Sequence, residues 1–351
     1  MIDSLLAWFI DRRRDLPWRR MADPYATWVS EIMLQQTRVE AVIPYFERWM
    51  QKFPTVHDLA VAAEEEVMQH WAGLGYYRRA RLLHKAAASV VHERGGQLPT
   101  SALDWRDLPG VGEYTSAAIA SICFDEALPV VDGNVKRVAA RVMQLELAAN
   151  DRALHRAAEK WGGQLMAELV AENPAREKNR ATERGQLVER SPKAGFLNEA
   201  LMELGATVCT PRSPLCEECP IQSQCQSAAR GVDPTQYPLS AKRTPWKELE
   251  LDYFWHQEGP LCLLMQRDQG WNPGLWEPPS LQSWPRDWPK PDSVGAFGDE
   301  ICRVKHTITH HKITARVYKL LGPVHAPLTP PDAVPLTGLA RKILAKCWKA
   351  C

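Results

Sequence analysis

The sequence predicts a chain of two domains, the first all-helical and the second of the α+β class. Up to about residue 228, apolar residues recur at helical spacing, and Gly or Pro ends each run. From residue 248 to 351, short apolar and β-branched runs alternate with Gly and Pro, as in the strands of a twisted sheet. Residues 229–247 hold three prolines and few apolar side chains, which is the composition of a linker.

The composition is that of a globular chain, with 351 residues, 45% of them apolar, and a net charge of +1. No run of about 18 uncharged apolar residues occurs, so no membrane span is predicted. Because the net charge is close to zero, binding to nucleic acid requires a local basic face. Five of the nine cysteines are scattered along the chain, which is typical of free thiols in a reducing cytoplasm. They are Cys123, Cys262, Cys302, Cys347 and Cys351.

The helical domain, 1–228, is predicted from a few strongly patterned stretches. A helical pattern runs from 25 to 53, and Pro54 stops it. Further patterns end at glycines, and a last helix over 195–204 leads into a cysteine-rich stretch. Residues 172–194 are polar and highly charged, so they are predicted to form a mobile surface excursion.

Glu31 lies within an apolar stretch, next to Val29 and Ile32. A carboxyl group among apolar neighbours has a raised pKa and can hold a proton near neutrality. The alternative is a solvated glutamate on the polar face of the helix, which the spacing alone favours. On the same basis, Gln35 and Gln36 are ordinary polar positions.

A Leu-Pro-Gly-Val-Gly turn within 108–122 separates two helical patterns. Gly110 and Gly112 permit a tight turn with free backbone N–H groups at the start of the second helix, and such a turn can hold a phosphate. A plain packing joint between two helices is the alternative. The hairpin context favours binding to the DNA backbone.

Asp132 follows an apolar run and precedes Gly133 and Asn134. It has the pattern of a helix N-cap, which needs no function. The helix dipole and free N–H groups at such a position hold a carboxylate in its ionised form. An ionised carboxylate that faces a developing positive sugar is also what cleavage of an N-glycoside requires.

Four cysteines, Cys209, Cys216, Cys219 and Cys225, follow the pattern C-x6-C-x2-C-x5-C. Four thiolates this close in a proline-rich loop favour a [4Fe-4S] cluster. Zinc is an alternative, although a zinc ribbon has two C-x2-C knuckles and this stretch has one. Two structural disulfides are the other alternative, and they need an oxidising compartment.

Together, the turn at 108–122, the Asp132 stretch and the four cysteines resemble the helix-hairpin-helix DNA glycosylases of the endonuclease III superfamily. The stretches 15–20, 29–39, 73–81 and 196–209 are similar to those of MutY-type adenine DNA glycosylases. The resemblance covers nearly all of 1–228. In 248–351, the stretches 274–279 and 305–314 resemble the Nudix-like α+β domain of the same family more loosely.

The resemblance implies a monomer without membrane contact, in the cytoplasm or at a bacterial nucleoid, that removes adenine opposite 8-oxoguanine or G in double-stranded DNA. The adenine is flipped out of the duplex for base excision repair. Glu31 is implied as the general acid at adenine N7, and Asp132 as the group that stabilises the oxocarbenium sugar. Tyr114 and Asn134 are implied to position Asp132 and the reacting sugar. The implied lining of the adenine pocket is Trp18, Arg19 and Glu199. Gln36 and Tyr76 are implied to fill the disturbed duplex.

Two departures from the related patterns bear on function. Tyr114 stands where bifunctional relatives carry a lysine, which implies little or no cleavage of the DNA strand. In the second domain, Ile308-Thr309-His310 replaces the family's Phe-Ser-His. Thr309 and His310 are thus the implied reading residues for 8-oxoguanine, without the stacking face of Phe.

Three other functions are compatible with parts of the sequence. An endonuclease III acting on thymine glycol shares the first domain, but the missing lysine and the added second domain argue against it. A Nudix pyrophosphatase needs a glutamate-rich helix that does not follow Gly274. A non-catalytic iron–sulfur DNA-binding protein has no need for Glu31 together with Asp132.

Overall fold

The computed structural model describes residues 1–21, 23–171, 194–241, 244–284, 297–321, 324 and 326–348. The predicted excursion 172–194 therefore lies, apart from Ala194, outside the described residues. Contacts divide the chain into two units. The first comprises Met1–Met50, Thr55–His57 and Ala86–Lys242, and the second comprises Gln51–Pro54, Asp58–Lys85 and Arg243–Cys351.

The described residues before 242 form helices and no sheet, as the sequence predicts. The helices are α1 (Ile2–Arg12), α2 (Pro17–Met21), α3 (Pro24–Leu34), α4 (Val39–Lys52), α5 (Val56–Val61), α6 (Glu64–Trp71), α7 (Arg78–Arg94), α8 (Ala102–Arg106), α9 (Glu113–Phe124), α10 (Gly133–Val142), α11 (Arg152–Ala171), α12 (Ala194–Thr207) and α13 (Gln226–Ala229). In this part of the chain, no helix is both long and apolar enough to cross a membrane.

The helical pattern predicted over 25–53 forms two helices rather than one, because the chain breaks between α3 and α4. The Asp23 side chain caps α3 by accepting a hydrogen bond from Ala26 N at 3.0 Å. Gln36 then takes a left-handed conformation with φ of 58°, which interrupts the helical hydrogen bonds. Hydrophobic periodicity does not reveal such a break, since apolar residues resume in phase in α4.

Helix α12 lies at the centre of the first unit and packs closely on α9 and α10. Asn198 on α12 is fully buried, and its side chain holds the segment before α10 through Val130 N at 3.0 Å and Leu128 O at 2.9 Å. Gly205 lies against Asn134, where a Cβ atom would be 2.6 Å from the Asn134 Cβ. Helix α12 therefore fixes the start of α10.

The predicted linker 229–247 differs in the structure, because its first part packs on the helical unit. Tyr237 is buried against Ala140 and Leu154, and Leu239 forms a parallel bridge with Ala148. The buried side chain of Arg141 donates from Nε to Tyr237 O at 3.0 Å. A tyrosine among prolines gives no sequence signal of this packing.

The second unit contains the predicted α+β part. Among the described residues, its largest sheet has three strands in the order β1-β7-β6, where β1 runs parallel to β7 and β6 antiparallel to it. The strands of this unit are β1 (Lys247–Trp255), β2 (Gln257–Glu258), β3 (Leu261–Cys262), β4 (Met265–Gln266), β5 (Trp276–Glu277), β6 (Phe297–Ile308) and β7 (His311–Leu320), and helix α14 (Gly338–Cys347) follows them. Leu339 and Ile343 of α14 pack with Val304 and Val317 in the core.

Replacing Gly195 by Ala is expected to destabilise the protein, because the new Cβ would be 2.7 Å from Ile122 Cα and from Ser121 O on α9. Such overpacking costs about 1–3 kcal/mol. The matched control is Gly163→Ala on α11, where a Cβ meets nothing within 4 Å. That variant gains helix propensity of up to about 1 kcal/mol. Urea denaturation should separate the two variants, and equal midpoints would contradict the close contact of α9 with α12.

Candidate active site

A cavity of about 1360 Å³ opens in the helical unit between α2, α3, α9, α12 and the start of α10. It brings together most of the predicted site residues. Those in its lining are Trp18, Arg19, Glu31, Gln36, Gly110, Gly112, Tyr114, Asp132, Asn134 and Glu199. Residues as far apart in the sequence as Trp18 and Glu199 thus face one space, which the spacing of the motifs alone does not reveal.

Glu31 is buried in the wall of this cavity, with 7% of its surface exposed. Burial raises its pKa from 4.5 to about 7, and the negative charges of Asp132 and Glu199 act in the same direction. Its Oε2 atom is buried and has no hydrogen-bond partner within the described part of the chain. The raised pKa predicted from the sequence is confirmed, and the solvated alternative is wrong.

Asp132 is the N-cap of α10, as its position in the sequence predicts. Its carboxylate accepts hydrogen bonds from Val135 N at 2.7 Å and from Asn134 Nδ2 at 2.7 Å. Burial nevertheless raises the pKa of Asp132 above its ordinary value, and it outweighs these bonds. The sequence predicts that the helix start favours the ionised form of Asp132. That prediction is wrong for the pKa as a whole, because the sequence does not reveal that the side chain is buried.

Tyr114 lies between Glu31 and α12. Its hydroxyl donates to Met202 Sδ at 3.5 Å. A hydrogen bond between Tyr114 and Glu31 lowers the pKa of Glu31 and so opposes the effect of burial. Burial raises the pKa of Tyr114 well above 10.0, so the phenol is protonated. The structure thus puts Tyr114 beside Glu31, whereas Asn134 contacts Asp132 directly.

The far side of the cavity is formed by an ion-pair cluster. Arg19 donates from Nε to Glu199 at 2.8 Å, and its Nη2 donates to Glu203 at 3.1 Å. Trp18 is buried, and its ring meets Phe46 edge-on with centroids 5.4 Å apart. Burial raises the pKa of Glu199, and the cation of Arg19 opposes that rise.

The predicted glycine turn joins α8 to α9 and is exposed at the mouth of the cavity. Gly110 has a φ of 79°, which only glycine adopts without strain, and Gly112 is the N-cap of α9. Gly110, Gly112 and Glu113, at the start of α9, are all exposed. Gln35, which the sequence left as an ordinary polar position, donates to Thr115 Oγ1 at 3.1 Å and ties α3 to α9.

Tyr76, Thr309 and His310 belong to the second unit. Tyr76 has a φ of 49° and is 51% exposed. Thr309 and His310 form the two-residue turn between β6 and β7, where Ile308 pairs with His311. The hydroxyl of Thr309 donates to Ile308 O at 2.8 Å, and Thr309 itself is exposed.

The four cysteines line one small hollow together with apolar residues such as Val138 and Ile221. None of the four forms a disulfide in the part of the chain that the structure describes. Among the described residues, no three Cys, His, Asp or Glu side chains are arranged to hold a single metal ion. Burial raises the pKa of Cys219 to about 11, and the charges of the other three cysteines add to that rise. Four thiolates here therefore need a cationic group between them, as an iron–sulfur cluster supplies.

Two arginines on α10 that sequence reasoning missed join this hollow to the cavity. Arg137 donates to Asn134 Oδ1 at 2.8 Å, Cys209 O at 2.8 Å and Gly205 O at 2.7 Å. Arg141 is buried and donates from Nη1 to Cys209 Sγ at 3.3 Å and Thr210 O at 2.7 Å. Spaced four residues apart, the pair has the pattern of a solvated helix face, so the sequence carries no signal of its role.

Comparison with known proteins agrees with this geometry. A family model described as HhH-GPD superfamily base excision DNA repair protein matches residues 29–164. The iron–sulfur binding domain of endonuclease III matches residues 209–225, from the first to the last of the four cysteines. The iron–sulfur interpretation of this loop is thereby confirmed over zinc and disulfides.

Curated relatives cover nearly the whole chain. The adenine DNA glycosylase of Mus musculus is 38% identical over 95% of this chain and 73% of its own length. That of Homo sapiens is 38% identical over 95% of this chain and 69% of its own length.

Solved structures share the fold of the helical part. A thermostable thymine-DNA glycosylase matches with a TM-score of 0.53 and 26% identity, over 65% of this chain and 95% of that one. An endonuclease III in a non-covalent complex with DNA has a TM-score of 0.50 and 23% identity over 66% and 94%, a likeness of fold alone. The adenine DNA glycosylases of Mus musculus and Homo sapiens are 38% identical to this chain over 95% of its length, and the helical fold and the cysteine loop match the same superfamily. The chain therefore belongs to the adenine DNA glycosylases of the helix-hairpin-helix base excision repair superfamily.

Proposed function

We propose that this DNA glycosylase hydrolyses the N-glycosidic bond of adenine opposite 8-oxoguanine, and also opposite G, in double-stranded DNA. The observation that carries the proposal is the pairing of Glu31, with a pKa of about 7, and the capped Asp132 around one cavity. Two carboxyl groups in different environments can divide the roles of acid and electrostatic stabiliser. The cavity of about 1360 Å³ is large enough for an extruded nucleotide.

Glu31 is the proposed proton donor to adenine N7. With a pKa of about 7, a large fraction of Glu31 carries its proton near neutrality. Protonation at N7 turns adenine into a good leaving group, and the resulting carboxylate can accept a proton from the attacking water. The buried, unpartnered Oε2 atom is free to make such a bond to the substrate.

Asp132 is the proposed stabiliser of the oxocarbenium sugar, with or without a transient covalent bond. Its orientation is fixed by the Val135 N–H and by Asn134, which Arg137 holds in turn. A carboxylate held in place by such bonds needs little reorganisation when positive charge develops on the sugar.

Strand cleavage is expected to be weak or absent. At the position where bifunctional relatives carry an amine, Tyr114 presents a phenol that stays protonated. The lysine in the cavity lining, Lys136, donates its ammonium group to Ala149 O at 3.3 Å. Formation of a Schiff base needs a free amine beside the sugar.

The proposed contacts to DNA come from both units. The backbone N–H groups at Gly110, Gly112 and the start of α9 suit a phosphate. Gln36 and Tyr76, which are both exposed and left-handed, are proposed to fill the disturbed duplex. Residues 248–351 are proposed to be a Nudix-like domain that reads 8-oxoguanine with the turn Thr309-His310. The protein is proposed to act as a monomer.

Glu31→Gln and Asp132→Asn are each expected to lower the rate of adenine release in a single turnover by about 10²–10⁴-fold, with DNA binding retained. In the wild type, the rate should fall as the pH rises above about 7, because Glu31 then loses its proton. Near-wild-type release by either variant would contradict the proposal.

The stability of Glu31→Gln supplies the control for this prediction. The pKa of Glu31 is higher in the folded state than its ordinary value of 4.5, so the wild type loses stability as the pH rises from there to about 7. Since Gln does not ionise, Glu31→Gln should be more stable than the wild type above pH 7, by up to about 3 kcal/mol. A variant that is inactive but more stable has lost chemistry and kept its fold.

Thr309→Val is expected to reduce the preference for adenine opposite 8-oxoguanine over adenine opposite G by about three- to tenfold, the worth of one hydrogen bond. Both residues are β-branched, so the strain at a φ of 52° is unchanged. Thr307→Val, at another exposed threonine on β6, is the matched control. Truncation after Ala241 should reduce the preference for 8-oxoguanine over G further. It also removes residues 243–351, which form the second unit together with 58–85. Unchanged preference in both variants would assign the reading to the first unit.

The iron–sulfur cluster is proposed to be structural, with no redox step in the reaction, because hydrolysis of a glycosidic bond moves no electrons. Arg141→Gln is expected to lower the visible absorbance of the cluster. It should also lower the free energy of unfolding by about 3 kcal/mol, since it removes the donor to the buried carbonyl of Tyr237 and to the part-buried carbonyls of Thr210 and Pro211. Arg230→Gln, which breaks an exposed bond to Gln144 nearby, is the control. Adenine release that followed the oxidation state of an intact cluster would contradict the structural role.

A further inference from the structure

The most completely bonded charge in the cavity wall is a glutamate that neither the motifs nor the proposed chemistry uses. The Glu203 side chain on α12 is 1% exposed. Its carboxylate accepts three hydrogen bonds from Arg14, through the backbone N at 3.0 Å, Nε at 2.8 Å and Nη2 at 3.0 Å. It accepts a fourth from Arg19 Nη2 at 3.1 Å. These bonds hold the pKa of Glu203 below its usual value in spite of its burial, so it is ionised.

Arg19 is fixed by this arrangement. Its guanidinium donates to Glu199 at 2.8 Å, to Arg14 O at 3.1 Å and to Glu203 at 3.1 Å, and its side chain is 14% exposed. Two of these acceptors depend on Glu203, because Glu203 also holds the backbone of Arg14. Loss of the Glu203 charge would leave Glu199 as the remaining anionic partner of Arg19.

The position of Arg19 matters because its charge acts on Glu31. The groups whose charges or hydrogen bonds act on Glu31 are Tyr114 from α9, Asp132 from the start of α10, Glu199 from α12 and Arg19 from α2. The thiol of Cys123 on α9 also lies within reach of the Glu31 charge, and its pKa of about 11 keeps it neutral. Asp132 and Glu199 favour the protonated acid, whereas Tyr114 and Arg19 favour the carboxylate. Arg19 is the cation in this set, so its neutralisation by Glu203 helps to keep the proton on Glu31.

We propose that Glu203 is a positioning residue that holds and neutralises Arg19, and thereby sets the charge balance around Glu31. It does not touch the substrate, and it acts through Arg19. The inference rests on the proposed function of Glu31 as the acid. A purely structural glutamate would affect folding and the overall rate, but it would not change the pH at which the rate falls.

The test is the pH dependence of single-turnover adenine release from a duplex with adenine opposite 8-oxoguanine. In Glu203→Gln, the cavity gains one net positive charge, so Glu31 should lose its proton earlier and the rate should fall at a pH lower by about 0.5–1 unit. In Glu203→Asp, which keeps the charge, the fall should stay at the wild-type pH even if the rate drops. Arg14→Gln removes a positive charge from beside Glu203, so the fall should move to higher pH.

Shifts of opposite sign in Glu203→Gln and Arg14→Gln support the inference. A fall at the wild-type pH in both variants would overturn it. If Glu203→Gln does not fold, as judged by cluster absorbance and thermal unfolding, a downward or absent shift in Arg14→Gln overturns it alone. Asp15→Asn, which breaks the exposed pair with Arg20 next to this segment, should leave rate and pH dependence unchanged.

Glu31→Gln separates the two proposals. If that variant keeps wild-type activity and the same fall with pH, the proposed role of Glu31 is wrong. If that variant is inactive while Glu203→Gln shows no shift, the role of Glu31 stands and the inference on Glu203 fails.

Discussion

The structure depends on the hydrogen bonds that α10 makes at both of its ends. At its start, Asp132 caps the helix and faces the cavity. One turn later, Arg137 joins Asn134 to the carbonyl groups of Gly205 and Cys209. Near its end, Arg141 holds the cysteine loop through Cys209 and Thr210. The loop that carries the cluster and the carboxylate that faces the cavity are therefore attached to one rigid element, and the position of one depends on the other.

This arrangement would give a cluster that takes no redox step, as proposed above, a structural use in a glycosylase. Burial lowers the pKa of Arg137, the negative charge of Cys209 opposes this lowering, and the repulsion of Arg141 one turn away adds to it. A loop of four thiolates supplies negative charge and carbonyl acceptors at the same place. Since the loop contains 3₁₀ turns and no long helix, its own backbone could not hold these acceptors in position.

The sequence predicts the groups whose environment is local and misses those whose partners are distant. Asp132 as an N-cap and Gly110 in a tight turn follow from neighbouring residues, and both are found. Glu31 could be suspected from its apolar neighbours, although its burial depends on α9 and α12. Arg137 and Glu203 had no signal, because their partners lie about 70 and 190 positions away. The prediction for the Asp132 pKa was wrong for the same reason, because the burial that raises this pKa arises only when the helices pack.

The crowding of carboxyl groups links stability to chemistry. Glu31, Asp132, Glu199 and Glu203 all line one cavity, and among them Glu199 and Glu203 are paired with arginines. Among the residues that the structure describes, no such cation is bonded to Glu31, and the charges of Asp132 and Glu199 oppose its ionisation. A neutral, protonated Glu31 is therefore the state that the folded protein favours below about pH 7. The burial that would destabilise an ionised Glu31 is the same feature that makes it able to donate a proton at neutrality, so a variant that relieves the destabilisation also removes the acid.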